Sequence, residues 1–110
     1  MSELKEKLAK YKADAEAQLA KAGETDIDDE VLSKLVNNLK LIIDNKDALS
    51  VAGSDAKEME TVRKNFVEKK LGIDDVEKGK AICADVAKRM ADSRMKNRAA
   101  FYYLCKKLAG

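Results

Sequence analysis

Apolar residues return at three- and four-residue steps along most of this 110-residue chain, the spacing that gathers them on one face of an α-helix. Leu4, Leu8, Tyr11, Ala15 and Leu19 predict a first helix from about Ser2 to Ala22, stopped by Gly23. Glycine suits that stop because it takes the left-handed conformation at little cost. Val31, Leu32, Leu35, Val36, Leu39, Ile42 and Ile43 give the second helix a broad apolar face, opened by the run Thr25 to Glu30. Met59, Val62 and Phe66 point a third helix inward, with Arg63 and Lys70 flanking them, and Gly72 ends it. Val76, Ile82, Cys83, Val86, Ala87 and Met90 mark a fourth.

The last stretch, Ser93 to Leu108, differs in kind. On a helical wheel Phe101, Leu104, Cys105 and Leu108 share one side, while Met95, Ala99, Tyr102 and Tyr103 form a second apolar sector nearly opposite. A helix with one wet face needs a single apolar stripe, so two predict an element covered from both directions. The pattern therefore predicts an all-α array of about five helices in a single domain spanning 1–110, with the C-terminal helix at its centre.

Local signals refine the boundaries. Asp55 with Glu58 and Asp74 with Glu77 have capping-box spacing, and Ser93 offers a cap for the fifth helix, although no breaker forbids one longer helix continuous with the fourth. Leu49 and Val51 are expected to pin the connection 44–53 to the core. Gly79 falls within the second turn of the fourth helix, where it costs about 1 kcal/mol against alanine. Its place there implies either a loose start or tight packing.

Composition strengthens the helical reading. The chain has no proline and only five glycines, with 45% hydrophobic and 38% charged residues of mixed sign. Such a balance belongs to a globular domain with a buried core, not to a disordered segment. The first residues lack the apolar core of a secretory signal, and the longest apolar run, Ala99 to Cys105, is too short to span a membrane. The expected location is the cytoplasm, with no membrane partner, where Cys83 and Cys105 sit as reduced core residues.

Most chemistries find no footing in the sequence. No histidine is present, which removes His-based triads and imidazole metal ligands. Two distant cysteines do not make a zinc or iron–sulfur site, and no phosphate-binding glycine motif occurs. Asp26, Asp28 and Glu30 alternate like calcium ligands, but Val31 and Asn37 occupy the places where that loop needs glycine and glutamate. They read as helix capping. No cofactor is expected, and no residue stands out as catalytic.

Charge is unevenly shared. Residues 1–50 carry eight basic and eleven acidic side chains, and residues 51–110 carry fourteen and nine. Arg94, Arg98 and Tyr102 follow at steps of four, so a helix would set them in one row near Phe101. The edge where Arg63, Lys64, Arg94, Arg98 and Tyr102 converge is the candidate binding surface. The structural alternative, which we favour, has the guanidinium groups pairing with carboxylates of neighbouring helices, Glu60 or Asp55 being candidates. A pI near 8.5 with interspersed acids is less basic than most nucleic-acid domains, so a nucleic-acid or anionic-ligand binder ranks behind a small non-enzymatic binding or interaction module. An enzyme ranks third. A homodimer would follow if Tyr103 or the alanine-rich first helix left an apolar patch exposed.

Two segments together carry a resemblance: Val51 to Asp55 continuing through Glu60-Thr61-Val62-Arg63-Lys64-Asn65-Phe66 to Lys69-Lys70-Leu71-Gly72, and Arg94 to Arg98 followed by Phe101-Tyr102-Tyr103-Leu104. With them the second half of the chain resembles a family of small bacterial proteins, domain of unknown function two-eight-five-three. The resemblance implies a compact helical domain of bacterial origin and brings no activity or cofactor. The family often places a glycine-containing turn before its last helix, where this chain has Met90-Ala91-Asp92-Ser93.

Overall fold

The structure, a computed structural model, describes residues 2–45, 47–93 and 95–109. Its elements follow as α1 (Ser2–Lys21), α2 (Asp29–Asn37), β1 (Ser50–Val51), α3 (Ala56–Val62), α4 (Val76–Arg89), β2 (Lys96–Asn97) and α5 (Arg98–Ala109). The five helices make the chain largely all-α. The two strands, which helical periodicity does not predict, pair antiparallel with Ser50 opposite Asn97 and Val51 opposite Lys96.

Helix α5 occupies the interior. Ala99, Ala100, Phe101, Leu104 and Cys105 are fully enclosed and Tyr103 is nearly so, with α1, α2, α4 and the strand pair packed around them. Burial on this scale is worth about 25 cal/mol for each Å² of apolar surface removed from water, so α5 contributes a large share of the core. Tyr103, being buried, supplies no apolar patch for a dimer. Its hydroxyl accepts a 2.8 Å hydrogen bond from the Asp28 backbone N–H, tying α5 to the start of α2.

The entry to α5 departs from the expected cap. The helix begins at Arg98, and its start is capped by Asn97, whose side-chain oxygen accepts from the Ala100 N–H at 3.0 Å. Ser93 lies in the preceding turn, and exposed Met95 drops out of the second apolar sector, whose Ala99 and Tyr103 are buried. The reason is non-local: residues 96–97 bond to 50–51, and the Arg98 N–H continues the pattern to the Leu49 carbonyl at 2.9 Å. The break before α5 thus needs no glycine. Leu49 and Val51, both buried, anchor the other strand as expected.

Three further boundaries differ. Helix α2 stops at Asn37, six residues before Ile43, and tightens into a 3₁₀ turn over Lys40–Ile42 that leaves Leu41 outside. Asp75, not Asp74, caps α4 by accepting from the Lys78 N–H. Asp55 does cap α3, but Glu58 turns away from the expected box to meet Arg98. Gly23 and Gly72 have φ of +93° and +76°, the left-handed stops expected of them. Asp28 caps α2 through the Val31 N–H, in keeping with the capping reading of that acidic run.

Helix α3 does not end at Val62 but widens. Residues Arg63–Glu68 form a π-helical continuation, with the Lys69 N–H reaching the Lys64 carbonyl five residues back. Segments of this kind are rare and recur at functional sites.

Candidate functional site

Neither arginine of the expected surface within the described residues is free, and the two sit in separate surroundings. Arg98 is a fastener at the start of α5. Its guanidinium donates to the Ala48 carbonyl at 2.6 Å, the Ser50 carbonyl at 3.2 Å, Glu58 at 2.6 Å and the Tyr102 hydroxyl at 2.9 Å. Tyr102 in turn stacks on Phe66, with ring centroids 4.0 Å apart and planes 7° from parallel. Burial opposes the charge on Arg98, but Tyr102 and Glu58 hold it strongly protonated. Charge-assisted bonds of this density fix geometry, and they leave the guanidinium little capacity for a ligand.

Tyr11 belongs to the same junction. Its hydroxyl donates to the Leu49 carbonyl at 2.7 Å and accepts from the Ala99 N–H at 3.3 Å. Burial pushes its pKa up to about 12. Beside it Asn97 donates to the Tyr11 carbonyl and to Asp14, while Gln18 accepts from the Asn97 N–H. A surface hollow lies here, but the polar groups that line it mainly bond one another and join α1 to the strand pair.

Arg63 lies on the other side of α3. The π-helical turn directs it inward, 4% exposed, with Nη2 2.5 Å from Glu60 and Nη1 3.2 Å from Glu68. Its bond to Glu60 raises its own pKa and lowers that of Glu60. The aliphatic part of Arg63 crosses α4 at Gly79, where a Cβ would stand 2.9 Å from the Arg63 Cγ. Gly79 therefore marks tight packing, the second of its two expected roles.

Between α3 and α4 runs a cleft of about 500 Å³. On α3 its wall is Ala56, Met59, Glu60 and the adjoining Arg63; on α4 it is Lys80, Cys83, Ala84 and Ala87. Both sets have the spacing i, i+3, i+4, i+7, one face of each helix. The small side chains leave the groove open; Arg63 is neutralised by Glu60 and Glu68, so Lys80 is the cation of the lining without a carboxylate assigned to it. Exposed Lys64 also acts on Glu60, lowering its pKa together with Arg63 and Lys80.

The five expected residues thus divide. Arg63 and Lys64 belong with Glu60, whereas Arg98 and Tyr102 belong with Glu58 and Phe66. Arg94 lies outside the described residues. Of the carboxylates proposed as partners, Glu60 binds an arginine, but that arginine is Arg63; Asp55 caps its helix, and Glu58 takes Arg98 instead. Lys80 and Ala84, which reasoning from sequence passed over, could have been found as the small-residue and basic sector of α4 beside its apolar stripe.

Among the described residues no cluster of Cys, Asp or Glu has the arrangement to hold a metal ion, and no helix is long and apolar enough to cross a membrane. No match to a curated protein was found. The family match extends well beyond the second half of the chain, over residues 10–110, and its description is "Protein of unknown function (DUF2853)". The chain belongs to the DUF2853 family.

Proposed function

We propose that this chain is a small, single-domain, non-enzymatic binding module of the bacterial cytoplasm, and that it takes its ligand in the α3–α4 cleft. The observation that carries the reading is the π-helical turn that buries Arg63 across Gly79 and opens a small-residue groove beside it. Small apolar walls with exposed Lys80 at the edge suit a compact molecule with an apolar body and one anionic end. Pockets of this size and lining are typical of small-ligand sites. Two free cysteines accord with a reducing compartment.

Anilinonaphthalene sulfonate has that chemistry and serves as the probe. Saturable fluorescence enhancement is expected with the native chain. It should weaken at least tenfold in affinity when Ala84→Trp fills the groove, and less when Lys80→Glu reverses the rim charge. Lys107→Ala, remote from the cleft, should leave it unchanged. Absence of saturable binding, or binding indifferent to both cleft variants while their melts remain cooperative, would overturn the reading. Retention of the native chain on DNA, RNA and heparin that falls with salt would instead favour a nucleic-acid binder.

A further inference from the structure

The hollow between α1 and the turn before β2, about 500 Å³ in volume, shares no residue with the α3–α4 cleft. Gln18 and Asn97 spend their amides on the junction there, but other polar groups of its wall are left over. Ser93 is 8% exposed, and its backbone is occupied: the N–H bonds the Met90 carbonyl, and the carbonyl accepts from the Lys96 ammonium. Its hydroxyl has no partner among the described residues. No fully enclosed side-chain N or O atom among them lacks a partner, so the Ser93 Oγ keeps its small exposure, and the residue lines the hollow. A largely buried hydroxyl left unpaired costs stability and calls for an explanation.

Two carboxylates line the same space. Gln18 donates to the Asp14 Oδ2 at 3.2 Å and Asn97 donates to it at 3.0 Å. Those amides fix the carboxylate, and its Oδ1 accepts nothing among the described residues. Asp92, in the turn after α4, bonds none of them either. Lys21 is the one cation among the described residues of the wall. It stands seven residues along α1 from Asp14, about 10 Å by helical rise, too far to pair with it. The wall therefore keeps a net negative charge. Met95, 59% exposed, and Ala17 add apolar surface beside these groups.

We infer that this hollow is a second binding site, and that it takes a primary ammonium ion carried on a short apolar chain. The three N–H donors of such a group match three acceptors of the wall that have no partner: Asp14 Oδ1, an Asp92 oxygen and Ser93 Oγ. Bonds from an ammonium to a carboxylate are the strong, charge-assisted kind, and the prearranged Asp14 lowers the ordering cost of binding. The alkyl chain rests on Met95 and Ala17. A hard metal ion fits less well, because it takes about six oxygen ligands, and no cluster of three acids is placed to hold one among the described residues. A quaternary ammonium carries the charge but no N–H, so it leaves the acceptors unmet. The preferred charge is opposite to that of the α3–α4 cleft, and this site stands whether or not that cleft binds a ligand.

The test follows the backbone amide signals of the full chain by heteronuclear NMR during titration with n-butylammonium chloride at neutral pH. Tetramethylammonium chloride and sodium butyrate are the comparison probes. Saturable shifts of the Gln18, Ser93 and Asn97 amides are expected with butylammonium and with neither comparison probe. Asp92→Asn should weaken binding about tenfold, and Ser93→Ala about fivefold. Glu77→Gln, exposed at the start of α4, should leave it unchanged. The Asp92 and Ser93 side chains hold no other residue, so both variants should fold, which melts check; if Ser93→Ala does not, Asp92→Asn decides alone. A titration without saturation at those amides, equal shifts from either comparison probe, or affinity indifferent to Asp92→Asn would overturn the inference.

Discussion

Arg98 reaches Glu58 forty residues away and two carbonyls of the strand connection, whereas Arg63 takes both its glutamates from its own helical stretch. Arg98 therefore holds segments together that would otherwise part, and its loss strands a carboxylate and two carbonyls near the core. Arg63 is neutralised locally and spends its length covering Gly79. The contrast separates a tertiary fastener from a wall element, although both are buried arginines with acidic partners. Ion pairs in proteins gain or lose by what their removal leaves unpaired, and on that ground the two positions should respond differently.

Phe101 sets the upper end of the scale for the α5 region. Phe101→Ala removes a fully buried ring and should cost about 3–5 kcal/mol, much of the stability of an ordinary domain, about 5–15 kcal/mol. Denaturant melts with an unchanged slope would measure it. Arg98→Ala should come next, at about 2–4 kcal/mol, because it breaks a largely buried charge pair. Arg63→Ala should cost clearly less in the same melts. Equal losses would erase the distinction between fastener and wall.

A third measurement reads the Arg98 junction through Tyr11. The folded protein keeps the Tyr11 proton to about pH 12, while an unfolded tyrosine releases it near pH 10. Its stabilising contribution is thus complete below pH 10 and declines as the pH climbs toward 12. The loss amounts to about 2–3 kcal/mol over that interval, and Tyr11→Phe should flatten the alkaline limb. The smallest effect belongs to the Arg63 side and changes sign. Gly79→Ala should destabilise the native chain modestly through its clash with Arg63. In the Arg63→Ala background the same change should stabilise by about 1 kcal/mol, the helix-propensity gain.

Particular residues explain what the sequence made legible. The two apolar sectors of the last stretch located the core helix because burial from two sides leaves a periodic mark. Gly23 and Gly72 were legible for a local reason, since positive φ favours glycine. The start of α5 was not, because Asn97 becomes its cap only when residues 96–97 meet a strand contributed from 50–51. The π-helical turn left no mark either: Val62 and Phe66 keep the same spacing in an ordinary helix. Arg63 looked like a surface charge because its cover, Gly79, belongs to another helix. Asp74 and Asp75 compete for one cap, and adjacent carboxylates cannot be ranked by spacing alone.

The enclosure of α5 bears on every one of these points, and native-state hydrogen exchange tests it most directly. Amides of Phe101 through Cys105 should exchange only through global unfolding, with protection equal to the full stability and falling with it in Phe101→Ala. Exchange of those amides by local opening, at free energies well below the global value and as fast as the outer turns of α1, would contradict it.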